Sequence, residues 1–68
     1  MLTLRQRAII DILNSEGHPV TGRELAQMLG VSDRTIRSDI DELNRNSQYE
    51  LIKASHRNGY SLSANALK

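Results

Sequence analysis

The apolar residues recur at intervals of three and four along the first two thirds of the chain, and in two short runs thereafter. This change of period divides the sequence into a helical part and an extended part. Leu4, Ala8, Ile9, Ile12 and Leu13 keep helical spacing up to Glu16 and Gly17. Thr3 followed by Gln6 has the spacing of a capping box, in which each side chain satisfies an amide that the first helical turn leaves free. The pattern predicts a first helix over about residues 3–16. Thr21 and Glu24 repeat the box, and Val20 with Leu25 has the spacing of a hydrophobic staple. A second helix over about 21–29 therefore turns Leu25, Ala26 and Leu29 inward and stops at Gly30. Ser32 caps a third helix over about 32–46, with Asp33 in its first turn and Val31 stapled to Ile36. Ile36, Ile40 and Leu43 form its buried stripe.

The final third reads "LIKASHRNGYSLS", two apolar runs around Asn58-Gly59, a strong hairpin signal. A two-residue turn would pair Arg57 with Tyr60 and scatter the apolar side chains over both faces. A three-residue loop, Arg57-Asn58-Gly59, instead pairs His56 with Tyr60, Ala54 with Leu62 and Ile52 with Ala64. That register is expected, with the hairpin over about 51–63, Gly59 in the left-handed position, and Arg57 and Asn58 at the tip. The short extended "HPV" before the second helix can add an edge partner. Three helices followed by a hairpin make an α+β fold, mainly α, of the winged helix-turn-helix kind. Gly30 and Val31 supply its tight inter-helix turn.

Composition narrows the chemistry. The chain has 68 residues, the size of one small domain with little room for an enclosed catalytic pocket. There is no cysteine, so disulfides and thiolate metal sites are excluded, and two histidines alone do not make an ordinary zinc site. No Ser, His and acid set has nucleophile spacing, and there is no glycine-rich phosphate loop, so a non-enzymatic protein without a cofactor is expected. The segment "MLTLRQR" lacks a signal-peptide apolar region, and no run is long enough to span a bilayer, so a cytoplasmic location is expected and no membrane partner.

Net charge is only +1, so the distribution of charge must carry any argument for a polyanionic partner. With Ile36 inward and about 100 degrees per residue, Arg34, Ser38, Asp41 and Arg45 point outward on the third helix, flanked by Arg37 and Thr35. Arginine forks onto guanine and hydroxyls bond bases or phosphates, so this face suits a DNA major groove. A solvated face with local Arg37–Asp41 and Asp41–Arg45 pairs is the competing reading.

The stretch "LAQMLGVSDRTIRSDIDEL" resembles the helix-turn-helix of bacterial winged-helix sugar and metabolite regulators, among them DeoR-like repressors and the biotin-repressor N-terminal domain. "LIKASHRNGYSLS" is similar to the wing at the N-terminus of BglG-type regulators that carry PTS-regulation domains. The likeness covers roughly residues 3–63. It implies sequence-specific binding of double-stranded DNA, with Ser32, Asp33, Arg34, Thr35, Arg37 and Ser38 as the recognition segment, Thr21 as a phosphate contact, and His56, Arg57 and Asn58 at the wing. Ser38 stands where related sequences often carry another basic residue, which lightens the phosphate grip. The partners expected are an operator duplex, a second copy of the chain as a homodimer, and further regulatory domains of a larger regulator whose N-terminal part is the single domain 1–68.

Two alternatives accompany this reading. One is a protein-interaction winged helix using Asp39, Asp41 and Glu42; the other is an RNA-binding antiterminator, which the scarcity of aromatic residues opposes. Tyr60 is expected at the core edge, His56 as a polar turn-side residue, His18 in a surface loop, and Met28 as a gap-filler or rim residue.

Overall fold

A computed structural model describes residues 2–47, 50–55 and 57–63. Its elements are α1 (Leu4–Glu16), α2 (Gly22–Leu29), α3 (Asp33–Arg45), β1 (Ile52–Ser55) and β2 (Gly59–Leu62). All three helices begin where their capping residues stand. Thr3 accepts from the Gln6 amide while the Gln6 side chain accepts from the Thr3 amide, completing the box on α1. Thr21 accepts from Glu24 N at 3.1 Å and Ser32 from Thr35 N at 3.2 Å. Each bond satisfies an amide that the first turn would otherwise leave bare.

Ile9, Leu13, Val20, Leu25, Ala26, Ile36, Ile40, Leu43 and Ile52 form one buried core, drawn from every helix, the segment before α2 and the first strand. Both staples are in place, with Val20 and Leu25 buried together and Val31 packed against the cluster that holds Ile36. The inward stripe of α1 departs from expectation: Leu4 is 91% exposed, and Gln6 is buried in its stead. Gln6 lies three residues before Ile9 and so shares its face, whereas Leu4, five before it, stands about 140 degrees away on the outward side.

Between α2 and α3 the chain turns at Gly30 in the left-handed conformation, φ 69°. The Ala26 carbonyl accepts from both Gly30 N and Val31 N, which closes the helix end and leaves Ser32 positioned to start the next.

The hairpin register differs from the expected one. Ile52 pairs with Leu62, Ala54 with Tyr60 and Ser55 with Gly59, two residues short of the expected partners of β1. A slip of two preserves the face of every side chain, so Ile52 still enters the core and Tyr60 and Leu62 still pack against it. A third strand-like contact lies on the other edge of β2. Val20 exchanges both backbone hydrogen bonds with Tyr60, at 2.8 and 2.7 Å, so the "HPV" segment does join the sheet edge. Gly59 opens β2, with φ 102°, and lies so close to Val20 that a Cβ there would fall 2.5 Å from the Val20 carbonyl oxygen. The glycine expected to serve the turn serves this backbone approach as well. His56 lies outside the described residues.

These two glycines separate backbone strain from steric exclusion. A Cβ on Gly30 meets nothing within 4 Å, so Gly30→Ala should cost only the left-handed penalty of about 1–2 kcal/mol in a urea titration. Gly59→Ala adds overlap with Val20 and Thr21 and should cost clearly more. Equal losses would show that the Val20 contact does not constrain the wing.

Candidate nucleic-acid interface

Burial of Ile36, Ile40 and Leu43 sets the rotation of α3, and that rotation decides what it displays. Arg34, Arg37, Ser38, Asp41 and Arg45 are exposed and, with half-buried Asn44, line one shallow concavity along the outer face. Ser32 and Thr35 do something more local. Their hydroxyls bond each other at 3.1 Å while Ser32 caps the helix, so Thr35 is half-buried and partly committed. Asp33 is exposed in the first turn, where its charge suits the helix dipole, and it lines no part of the concavity.

A second groove joins α3 to the wing. Thr21, Gly22, Arg37, Ser55, Arg57 and Tyr60 are among its walls, so the cap of α2, the middle of α3 and the hairpin tip converge there. Thr21 uses its oxygen as the α2 cap and retains its O–H to donate. Asn58 is exposed beside Arg57 at the tip. Tyr60 is half-buried against the core, as expected of a core-edge aromatic, and its ring passes close to Gly22. His18 is exposed in the loop before α2, and Met28 is also exposed.

The charge balance of α3 differs from its sequence total. Three arginines against Asp33, Asp39, Asp41 and Glu42 make the helix net acidic on paper. In the fold, Asp39 turns inward and takes a two-point bond from Arg5 of α1, through Nε and Nη2, while Glu42 accepts from the Gln6 side chain. Asp39 raises the Arg5 guanidinium above its ordinary pKa, by hydrogen bonding first and by charge attraction second. What remains along the concavity is Arg34, Arg37 and Arg45 against Asp41 alone. Neither α3 pair of the competing solvated-face reading, Arg37–Asp41 or Asp41–Arg45, forms: among the described residues the ion pairs are Arg5–Asp39 and Arg7–Asp11. The chain spacing allows those α3 contacts, but long side chains in water gain too little from them to hold one geometry.

Asn44 is the other contributor that the sequence reading missed. Its side-chain oxygen accepts from Leu51 N and Ile52 N, both at 3.0 Å, and its amide donates to the Ile52 carbonyl at 3.1 Å. One side chain thereby pins the first strand of the wing to the last turns of α3.

The family model for an HTH domain, HTH_11, matches residues 5–61, which take in α2, α3 and β1 whole and all but one terminal residue each of α1 and β2. The chain belongs to the HTH_11 family of helix-turn-helix domains. Within that frame α2 and α3 are the helices of the motif and the hairpin is its wing. Over 44 residues, 65% of its length, the domain is 57% identical to a protein of Escherichia coli (strain K12) designated an frv operon regulatory protein. It spans about 7% of that relative's length. No solved structure matches it. Among the described residues no helix is long and apolar enough to cross a membrane.

The three bonds of Asn44 make a direct prediction. At about 1 kcal/mol for each bond lost, Asn44→Ala should lower unfolding free energy by about 2–3 kcal/mol. Native-state amide exchange should accelerate in β1 and β2 more than in α1, and a uniform acceleration would deny Asn44 its role as the wing anchor.

Proposed function

We propose that this domain is the sequence-specific DNA reader of a bacterial transcription regulator, with α3 in the major groove and the wing on the flanking backbone or in the minor groove. The observation that carries the reading is the outer face of α3, where three arginines and the Ser38 hydroxyl stand exposed while Asp39 and Glu42 are turned to partners on α1. Membership in a helix-turn-helix family and likeness to a protein designated an operon regulator support it.

The division of labour follows from chemistry. Phosphate contacts fix the position of the helix, and base contacts supply the sequence information. Thr21, Arg57 and Asn58, with His56 beside them in sequence, are suited to the first task. Arg34, Arg37 and Ser38 are suited to the second, since arginine can fork onto guanine O6 and N7 and a hydroxyl can bond a base edge. Thr35 and Ser32, tied to each other, shape the helix start and offer their remaining hydrogen-bonding capacity to the backbone. Asp33 contributes to helix formation at the same end. The proposal also comprises a homodimer on paired half-sites, a domain over residues 1–68 within a larger cytoplasmic regulator of the BglG type, and effector control by its other domains.

The protein-interaction reading loses support because two of its three acidic residues are engaged within the fold. The RNA reading needs exposed stacking aromatics, and Tyr60 packs against the core instead.

Selection from a pool of random duplexes, followed by a salt series on the enriched site, tests the proposal. Arg34→Ala should cost about 1–3 kcal/mol of binding and relax preference at one base position. Arg57→Ala should weaken binding on every sequence alike and make the slope of log K against log salt shallower by about 0.9. A domain that enriches no sequence, even as a forced dimer at low salt, is not a DNA reader.

A further inference from the structure

We infer that Arg5, oriented by Asp39, grips a backbone phosphate on the DNA strand opposite the one held by the wing; the inference rests on the DNA-reading proposal above. The outer face of α3 has two flanks. On one, Arg37 is shared with the groove that contains Thr21 and Arg57. On the other, Arg34 and Ser38 are shared with a separate hollow whose remaining walls are Arg5, Thr35 and Asp39. A helix in the major groove has a phosphate backbone on each side, with the groove about 12 Å wide between them. The wing flank carries Arg57 for one backbone. Arg5 is the cation that α1 brings to the other.

The chemistry of the pair favours a ligand. The Asp39 side chain is 9% exposed and that of Arg5 is 43% exposed, so the carboxylate is shut in while the guanidinium reaches the hollow. A guanidinium has five N–H donors in a fixed planar fork. Asp39 takes one from Nε and one from Nη2. Three are left, and both of those on Nη1 lie on the edge remote from the carboxylate. Arginine's planar fork matches phosphate, and a fork already immobilised loses little conformational freedom on binding. A clamp serving only to join α1 to α3 would leave those donors without a task at the binding surface.

The experiment replaces the pair by a neutral one, Arg5→Gln with Asp39→Asn, which leaves the local formal charge unchanged and strands no buried ion. Thermal unfolding confirms the fold, and Arg7→Gln, on the same helix and exposed, serves as control. Loss of a phosphate contact should reduce the salt slope by about 0.9 on specific and random duplexes alike. Ethylation interference should disappear at a phosphate on the strand opposite the one affected by Arg57→Ala. An unchanged slope and ethylation pattern would reduce the pair to an internal clamp and overturn the inference. If the double variant does not fold, Arg5→Lys keeps the charge beside Asp39 but removes the fork. Weakened interference at the same phosphate then supports the inference, and an unaltered pattern overturns it. Failure of the unsubstituted domain to bind any duplex would instead remove the DNA-reading proposal itself, and with it this extension.

Discussion

The seating of Ile36, Ile40 and Leu43 in the core fixes the azimuth of α3, and everything the domain can present to a partner follows from that angle. A rotation by one residue, about 100 degrees, would drive Arg37 toward the interior and bring an isoleucine to the surface. Burial of three branched side chains is worth several kcal/mol, which a chain of 68 residues cannot forgo. The small core therefore acts as an orienting device. The caps at Thr3, Thr21 and Ser32 complement it by setting where each helix begins, so the start and the rotation of α3 have separate causes.

Polar side chains complete what the apolar core leaves open. Asp39 and Glu42 reach α1 through Arg5 and Gln6, and Asn44 reaches the wing through the backbone around Ile52. These contacts belong to the same helix that displays the arginines, and Asn44 borders the outer concavity itself. They join α3 to the two elements that flank it and turn two of its four carboxylates, Asp39 and Glu42, to partners on α1. Structure and electrostatics are thus set by one group of residues.

Local patterns carried the helices and their caps, because capping and staple signals act over three to five residues and do not depend on the rest of the chain. The outward set on α3 was legible for the same reason: a helical wheel needs only one buried reference. The exceptions rest on contacts between elements, which no local pattern encodes. The hairpin register is one, because registers that share a parity put the same side chains in the core and the apolar pattern of β1 and β2 does not distinguish them. Arg5 and Asp39 are 34 residues apart. One sign of that pair was present. Asp39 lies about 60 degrees from Ile36 on the helix, within the apolar stripe, and a carboxylate there requires a cation from another element. Gln6 could be inferred in the same way from its position below Ile9. Leu4 shows the converse, since its spacing of four from Ala8 fits a helical period while it lies about 140 degrees from buried Ile9.

The outer face of α3 has one further property. Arg34, Arg37, Ser38 and Asp41 contribute nothing to the core, form no cap and hold no neighbouring element, whereas Asn44, which borders the same concavity, anchors β1. Substitution at those exposed positions therefore alters what the surface says without altering how the protein folds. On the proposed reading role, a lineage carrying this domain changes its address by point mutation, one exposed position at a time, without passing through an unfolded ancestor.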